Sequence, residues 1–411
     1  MTRMVAVAAL AAALALPGAG GRPSVVASPI LPSPGDRDED DLSGPGTARL
    51  ADRVTPEHEK ALQAGLRYLA RQQLDDGSFP STPRAAGGTR STADAKTAVT
   101  ALATLAFLGA GCGLRHGPYH ETIERGVRWL LGAQRKGVVG QEDDGYVSYT
   151  GDSMSKMHGH GFATLALAEA YGSAAIPGPG QSEGRRADPA QRQLARDLQD
   201  GIERAVTLIE RSQSTSGGWG YLPGSGGTME HEGSVTVCQV QALVAAANRG
   251  FRVSQRCVDG GRGYMRRSQN PRLGGFKYKI TEDGWQTMSY ALTGAGIVSL
   301  LGLGEYDRKE AIDLGIRYML EEEPRPRMRS TRWFFYGSFY AVQAFHWVGG
   351  EKWQRFWVPL RSHLLDEQDE EGSWSDPDNR DTAANLGPVY PTAMCVLMLE
   401  VPIGYLSVFA K

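Results

Sequence analysis

Helical segments of two kinds alternate along this chain. Residues 204–221 begin as a short amphipathic helix, with Val206 and Ile209 on its apolar face, and end in a polar turn and a Gly-Gly-Trp-Gly-Tyr cluster. Residues 234–248 then form an apolar stretch with almost no charge. A helix that is charged on one face can lie at the surface, whereas a helix that is apolar nearly all round must be buried. The pattern therefore predicts pairs of helices, one outer and one inner.

The same pair recurs along the chain, and six pairs can be counted. The outer helices are predicted to begin near Pro56, Tyr119, Ala195, Val253, Asp307 and Trp353, and the inner helices near Ser91, Met154, Ser234, Trp285, Phe334 and Tyr390. Each pair takes roughly 60 residues, which is more than the roughly 34 to 47 residues of the common open helical repeats. The sequence therefore predicts an all-α (α/α)6 toroid, in which inner helices line a barrel and outer helices surround it.

Glycines mark the turns between outer and inner helices, because glycine tolerates the left-handed conformation that ends a helix. Such a glycine occurs in five turns, as Gly77, Gly145, Gly217, Gly274 and Gly372. The turn of the fifth pair is degenerate and lies around Trp333 and Gly337. Two insertions, residues 176–196 and the basic residues 324–332, are predicted to be surface loops.

The turns also carry a resemblance to a known family. In the third pair, a basic-small pair, two aliphatic residues, a glutamine and a Gly-x-Trp triplet follow one another, as Arg204-Ala205, Leu208-Ile209, Gln213 and residues 217–219. This series resembles the repeat of the terpene cyclase (squalene cyclase) and protein prenyltransferase β-subunit superfamily. The same spacing recurs around Gln73 and, in its second half, around Gln368. The resemblance covers residues 56–411 and implies the toroid fold.

The resemblance also implies a structural role for the glutamines and aromatic residues of the repeat, which would tie the end of an outer helix to its turn. These residues are Gln73, Gln134, Gln213, Trp219, Gln269, Gln368 and Trp374. The unit of Gln134 keeps only the first half of the pattern, and the fifth unit has Glu323 in place of glutamine. Residues 160–167 resemble an uncharacterised, exported bacterial branch of the superfamily, for which no activity can be carried over.

Composition and the N-terminus bear on partners and location. The formal net charge is −2 and 41% of the residues are hydrophobic, which argues against a nucleic-acid partner. Arg3, an apolar run at residues 5–16 and small residues at 18–21 form the pattern of an export signal, so we expect a periplasmic, envelope or secreted protein. An N-terminus that stays associated with the membrane is left open. The predicted parts are a signal peptide (1–21), a disordered Pro/Gly/Asp-rich linker (22–54) and the toroid domain (55–411).

The four cysteines lie far apart, at Cys112, Cys238, Cys257 and Cys395. Export permits disulfides, and four cysteines allow three pairings, which the sequence leaves open. Their scatter fits neither a compact disulfide framework nor a metal site with paired cysteines. We interpret them as small buried apolar residues.

The acid and metal motifs of the enzymes in this superfamily are not found at the expected positions of the sequence. Squalene cyclases protonate an alkene with an Asp-x-Asp-Asp cluster at an inner-helix mouth, but here the acidic string at residues 38–41 lies in the linker. The first inner helix, at residues 91–98, offers one carboxylate and a lysine. The prenyltransferase Asp-x-Cys zinc pattern is absent, so we assign no metal site. Cys238, His158, His160 and His231 would be enough ligand types for zinc, but their spacing follows no known pattern, and metal binding is left open. Cys112 lacks the glutamine that a complement-type thioester needs.

The toroid places a ring of polar and aromatic residues around one mouth of the barrel, which is where ligands usually bind. The candidates are Asp94, Lys96, His158, His160, Glu230, His231, Glu232, Trp285, Tyr290, Tyr336, Tyr340 and Tyr390. Tyrosines at helical spacing are also typical of a core, and residues 230–232 also suit a solvated loop. His158 and His160 stand beside glycines, which favours close backbone approach at this point.

Three functions follow as hypotheses. The first is binding of an apolar isoprenoid-like or other lipid ligand in the barrel. If such a protein is an enzyme, it would be a lyase, isomerase or transferase. The second is a carbohydrate-active toroid, which needs paired carboxylates roughly 5 to 10 Å apart, with Asp94 and either Glu230 or Glu232 as the pair. The third is a non-catalytic scaffold with a filled axis. The sequence assigns no cofactor and no oligomeric state.

Overall fold

The structure, a computed structural model, describes residues 54–81, 94–138, 142–174, 189–224, 231–280, 287–322, 333–376 and 386–409. Twelve α-helices lie in these residues and alternate between outer and inner positions. The outer helices are α1 (Pro56–Gln72), α3 (His120–Gly132), α5 (Pro189–Arg211), α7 (Gln255–Ser268), α9 (Lys309–Glu322) and α11 (Gly350–Asp366), and the inner helices are α2 (Lys96–Gly109), α4 (Lys156–Ala174), α6 (Gly233–Asn248), α8 (Tyr290–Gly302), α10 (Phe334–Val348) and α12 (Val389–Glu400).

The inner helices close into a ring. Each packs against the next one in the chain, and α12 packs against α2. Each outer helix packs against the inner helix that precedes it, and α1 packs against α12. The apolar inner helices are buried along almost their whole length, whereas the outer helices bury one face, which is why their sequences differ. The predicted (α/α)6 class is confirmed.

One predicted boundary was wrong. Helix α5 begins at Pro189, whereas the sequence pattern places the start of this outer helix near Ala195 and assigns residues 176–196 to a loop. Proline suits the first turn of a helix, because its fixed φ is helical and its missing N–H has no partner there in any case. The residues from 189 to 193 are exposed, so no apolar stripe marks this first turn in the sequence.

Several predictions fall outside the described residues. They concern the signal peptide at 1–21, the linker up to residue 53, the acidic string at 38–41, the remainder of the first insertion, the basic insertion at 324–332, and Glu323. The four cysteines are described, and all four are buried free thiols. No helix within the described ranges has the length and apolar character needed to span a bilayer.

The repeat glutamines tie neighbouring pairs together. Through Nε2, Gln213 donates hydrogen bonds to the Gly217 carbonyl (2.9 Å) in its own turn and to the Cys257 carbonyl (2.8 Å) at the start of α7. Gln368 donates in the same way to Gly372 (3.0 Å) and to Ala61 (2.9 Å) on α1, and so joins the last pair to the first. The same two-carbonyl contact is made by Gln73, Gln134 and Gln269.

We expect Gln368→Ala to lower the free energy of unfolding by about 2 kcal/mol, because it leaves two carbonyl oxygens at the seam without their donor. Urea denaturation, followed by far-ultraviolet circular dichroism, measures the change. Gln255→Ala is the matched control, because the Gln255 amide donates to the exposed Asp259 carboxylate of its own helix (3.0 Å). Equal midpoints for the two variants would contradict a role of Gln368 in holding the ring closed.

A second tie joins each turn to its inner helix. The backbone N–H of Trp219 donates to the Thr236 hydroxyl (3.1 Å), and the corresponding amides of the first, fourth and sixth pairs donate to Thr100, Thr293 and Thr392. In the second pair, the Val147 N–H donates instead to His160 Nδ1 (3.1 Å). His160 thus occupies the position that threonine has in the other described turns of this kind.

The C-terminal segment covers the end of the barrel at which the inner helices finish. The buried Glu169 carboxylate on α4 accepts hydrogen bonds from the Ser407 N–H (3.0 Å) and hydroxyl (2.5 Å) and pairs with Arg249 (2.5 Å). Phe409 is buried, with its ring 6.2 Å from that of Phe339 on α10. We call the opposite end of the barrel, where the inner helices begin, the mouth.

Candidate acid–base site at the mouth of the barrel

Hydrogen-bonding side chains meet where α4, α6 and α10 begin. We call them the mouth cluster, and its members are His158, Tyr221, Glu232, Ser234, Tyr278 and Tyr336. Tyr221 and Tyr278 come from the extended segments of the third and fourth turns. These segments lie beside the start of α6, because the Glu232 N–H donates to the Trp219 carbonyl (2.9 Å) and the Gly233 N–H donates to the Tyr278 carbonyl (2.8 Å). The turns therefore position the cluster as well as closing the ring.

Glu232 is at the centre of the cluster. It lies at the N-cap of α6, where serine, threonine, aspartate and asparagine are the preferred residues, and only 1% of the residue is exposed. Its carboxylate accepts hydrogen bonds from the Tyr221 hydroxyl (3.0 Å) and the Ser234 hydroxyl (2.5 Å). The Tyr221 hydroxyl also lies 2.7 Å from that of Tyr278. A carboxyl group is thus held beside two tyrosines, Tyr221 and Tyr278, which we call the aromatic rim.

His158 completes the acid–base arrangement. Its Nε2 lies 3.1 Å from the Ser234 hydroxyl oxygen and 3.7 Å from the Glu232 carboxylate, and 21% of its side chain is exposed. The imidazole also packs against the Tyr221 ring, with 5.6 Å between centroids. An imidazole, a hydroxyl and a carboxyl group therefore lie within reach of one another at a partly open position.

Burial sets the charges of these groups. Loss of solvent raises the pKa of Glu232 above its usual range, against the opposing effect of the hydrogen bonds from Ser234 and Tyr221. Burial, together with the nearby Lys156 ammonium, lowers the pKa of His158 to about 4. His158 is then a neutral imidazole at pH 7, and Glu232 is able to exchange a proton closer to neutrality than an exposed glutamate.

The interior below the cluster is bridged by side chains. α6 and α10 are not neighbours in the ring, yet the Tyr336 hydroxyl donates to the Ser234 carbonyl (2.9 Å), and the Tyr340 hydroxyl lies 3.5 Å from Cys238 Sγ. One turn further on, the side-chain amides of Gln241 and Gln343 form a 2.7 Å hydrogen bond. These three contacts join α6 to α10 across the interior of the barrel, below the mouth cluster.

Two of the predicted histidines point elsewhere. His160 is fully buried and bonds the Val147 amide, and burial lowers its pKa to about 3. His231 Nδ1 lies 3.2 Å from the Tyr264 hydroxyl on the outer helix α7, and their rings meet edge to face. Burial also lowers the pKa of His231. Both histidines face the outer layer and not the mouth cluster.

The two predicted charged residues of the first inner helix serve local contacts. The Asp94 carboxylate accepts hydrogen bonds from the Ser81 hydroxyl and from the Lys96 backbone N–H (2.8 Å), so it fixes the start of α2. The Lys96 ammonium pairs with Asp76 (3.6 Å) and lies over the ring of Tyr149 (5.2 Å). Among the described side chains, no hydrogen bond or ion pair connects Asp94 or Lys96 to the mouth cluster.

Of the remaining candidates, the tyrosines lie on inner helices and the other two residues lie outside the described part of the chain. Tyr290 and Tyr390 lie at the starts of α8 and α12, and the Tyr390 ring packs edge to face against Phe335 (6.3 Å). Burial raises the pKa of Tyr336 and of Tyr340 well above 10. Glu230 and Trp285 lie outside the described residues.

Three cluster members, Tyr221, Ser234 and Tyr278, were not among the predicted candidates. Tyr221 stands two residues after the turn tryptophan, so in an extended segment both side chains leave the backbone on the same side. Ser234 is the second residue after Glu232, at the start of an inner helix. The spacing from the turn tryptophan is the signal that could have found Tyr221, whereas Ser234 lies in the first turn of α6, where period-two spacing does not apply.

Three cavities can be described away from the cluster. One, with about 60 Å³ of space for water-sized molecules, lies under the C-terminal segment and is lined by Gln241, Gln343 and Phe409 among others. A groove of about 590 Å³ lies outside the ring beside Glu210 and Arg252, and a third of about 390 Å³ lies beside Val54. Within the described ranges, no three histidine, cysteine or acidic side chains are placed to hold a metal ion.

The chain has the (α/α)6 toroid fold, as the resemblance implied, and solved structures of similar fold are known. The type II terpene cyclase MstE from Scytonema is similar, with a TM-score of 0.54 and 14% identity over 86% of this chain and 98% of the cyclase. The GH76A alpha-1,6-mannanase from a Salegentibacter species matches with a TM-score of 0.54 and 9% identity over 84% and 98% of the two chains. An alpha-amylase from Clostridium perfringens matches with a TM-score of 0.53, 10% identity and coverages of 84% and 97%.

These similarities concern the fold, because the identities are low and cyclase and glycosidase structures match equally well. No protein-family model and no curated protein sequence matches the chain. The function must therefore be argued from the side chains of the mouth.

Proposed function

We propose that the mouth cluster binds an apolar ligand of the isoprenoid or lipid kind and presents Glu232 to it as an acid–base group. The observation that carries the proposal is the buried Glu232 carboxyl, held by the Tyr221 and Ser234 hydroxyls beside the aromatic rim. Aromatic walls with a few fixed polar groups suit ligands that are mostly apolar. A raised pKa suits a group that must give or take a proton near neutrality.

The cyclase similarity supports the same ligand class. A variant of the Scytonema terpene cyclase, with a TM-score of 0.52 to this chain, binds geranylgeranyl dihydroxybenzoate as its substrate. In this chain, Glu232 at the start of α6 would act as the acid, because the single carboxylate at the start of α2, Asp94, is engaged by Ser81 and the Lys96 amide. We extend the proposal to an exported protein in the periplasm or cell envelope, which rests on the sequence of residues 3–21 alone.

The carbohydrate alternative has less support from the side chains. The glycosidase structures fit the fold as well as the cyclase does. A glycosidase needs two facing carboxyl groups. Asp94, one half of the nominated pair, is occupied in fixing α2 through Ser81 and the Lys96 amide, and Glu232 is bonded by hydroxyls of its own cluster.

Native mass spectrometry of the purified protein with geranylgeraniol, palmitic acid or alpha-1,6-mannotetraose tests the proposal. We expect one bound geranylgeraniol or palmitic acid molecule per chain and no bound mannotetraose. Tyr278→Ala should weaken binding about five- to tenfold, since it removes an aromatic wall of the mouth. Tyr306→Ala is the matched control, because Tyr306 lies at the opposite end, stacked on Trp347.

Each other outcome overturns part of the proposal. Binding of mannotetraose alone would favour the carbohydrate function. Loss of lipid binding in Tyr306→Ala, with Tyr278→Ala unaffected, would place the ligand under the C-terminal segment. Binding of none of the three compounds would favour a scaffold.

A further inference from the structure

The mouth cluster contains the parts of a nucleophilic site. Ser234 is the second residue of α6, and its hydroxyl donates a hydrogen bond to the Glu232 carboxylate (2.5 Å) and lies 3.1 Å from His158 Nε2. A serine hydroxyl becomes a nucleophile when an adjacent base removes its proton, and hydrogen-bond contact between the two side chains is the mark of that arrangement.

The serine is also fixed and reachable. Its backbone carbonyl accepts a hydrogen bond from the Tyr336 hydroxyl (2.9 Å), which holds the first turn of α6 in place. Ser234 is itself partly exposed, in contrast to the buried Gly233 and Val235 on either side of it. A nucleophile needs a defined position and contact with solvent, and Ser234 has both.

The structure further separates the roles of the two neighbours. Burial raises the pKa of Glu232, so its carboxylate holds a proton more tightly than an exposed glutamate does, whereas His158, whose pKa is lowered to about 4, is a neutral imidazole. A neutral imidazole can donate an N–H to an oxygen that becomes negative. The start of α6 adds a partial positive charge at the same place.

We propose that Ser234 is a nucleophile activated by Glu232, and that its substrates are carboxylic esters with an apolar acyl group. The choice of an apolar acyl group rests on the proposed function, because it is the aromatic rim that would hold this group.

The reaction needs no other reagent than water. The Ser234 hydroxyl oxygen attacks the ester carbon while its proton passes to the Glu232 carboxylate. The bond to the alcohol then breaks, and the departing alcohol takes that proton from Glu232, which leaves an acyl group on Ser234. Glu232 next takes a proton from water, the hydroxide oxygen replaces the serine oxygen, and Ser234 regains its hydrogen as the carboxylic acid departs.

A long-chain alkyl fluorophosphonate is the probe, because it forms a stable covalent bond with an activated serine. Incubation of the full-length protein with the probe, followed by proteolysis and mass spectrometry, should place the adduct on Ser234. Labelling should be lost in Ser234→Ala and slowed about a hundredfold or more in Glu232→Gln. Ser289→Ala is the matched control, because Ser289 begins the neighbouring inner helix α8 as its N-cap; it should label at the wild-type rate.

Two further measurements keep the test decisive. The labelling rate should rise with pH as Glu232 loses its proton, and Glu232→Gln should lose this dependence. If a variant fails to fold, the position of the adduct on the wild-type protein still shows whether Ser234 is the reactive residue. A wild-type protein that does not react, or an adduct on another residue, overturns the proposal.

The test also separates this proposal from the ligand proposal. Native mass spectrometry of the wild-type protein with geranylgeraniol or palmitic acid reports ligand binding, and fluorophosphonate labelling of the same wild-type protein reports the nucleophile. Lipid binding without labelling would contradict the proposal that Ser234 is a nucleophile and leave the ligand proposal standing. Labelling of Ser234 without lipid binding would contradict only the proposal of an apolar ligand.

Discussion

Replacement of Gly217 by alanine is expected to lower the free energy of unfolding by about 3 kcal/mol or more. Gly217 has a φ of +89°, which costs an L-residue roughly 1–2 kcal/mol. In addition, a Cβ at this position would overlap the Gly260 carbonyl oxygen on α7. The turn and the next outer helix approach so closely here that only a residue without a side chain fits, and the variant must push the two apart.

Gly250→Ala separates the two contributions. Gly250 has a φ of +85°, and a Cβ added there would meet no atom within 4 Å. This variant should therefore lose only the conformational part, about 1–2 kcal/mol. Urea denaturation of both proteins gives the comparison. If the two variants lose the same stability, the close approach between the third turn and α7 does not contribute.

Replacement of Glu400 by glutamine is expected to change the pH dependence of stability. Glu400 ends α12 and is 0% exposed, and no donor among the described residues bonds either of its carboxyl oxygens. Burial raises its pKa well above the usual range. The folded protein therefore keeps a proton that the unfolded chain releases above its ordinary value of 4.5.

The sign of the effect follows from this difference in proton binding. As the pH rises from about 4.5 towards the folded-state value, the wild-type protein should lose up to about 1.4 kcal/mol per pH unit, and Glu400→Gln should lose none of this. The variant should be more stable than wild type at pH 8 and similar to it near pH 4.5.

The buried histidines do not obscure this comparison. Burial lowers the pKa of His58 and His158 to about 4, so both proteins should lose stability as the pH falls below about 6.5. The loss is common to the two proteins and cancels in their difference. Glu370→Gln, at an exposed carboxyl, serves as control. Parallel curves for wild type and Glu400→Gln would mean that Glu400 is ionised in the fold.

The sequence predicted the fold well, because the features that build a closed ring are local and recur. A charged outer helix, a glycine turn and an apolar inner helix are each visible within a short stretch, and they repeat with a period that suits a ring. The start of α5 was misplaced because its first turn is exposed and carries no apolar stripe. A boundary of that kind depends on helix propensity, which is a weaker signal than apolar periodicity.

The site was harder to predict, because it depends on which way a side chain points. His158 and His160 are two residues apart on α4, yet one meets Ser234 at the mouth and the other holds the turn in place of a threonine. A comparison of the repeats could have assigned His160 to the turn. The contact between Glu232 and Tyr221 joins a helix start to a preceding turn, and no short-range pattern specifies it.

The tie from Gln368 to Ala61 has a consequence for the order of the repeats. The other described repeat glutamines make the same contact with the outer helix that follows them. Between α9 and α11 no such glutamine is described, and the Lys352 ammonium donates to the Asp313 carboxylate (2.8 Å) instead. Val54 and Tyr405, near the two ends of the toroid, line one common cavity. The seam between the last and first pairs is therefore bonded like the others, and a circular permutation that joined these ends and opened another turn would preserve the ring.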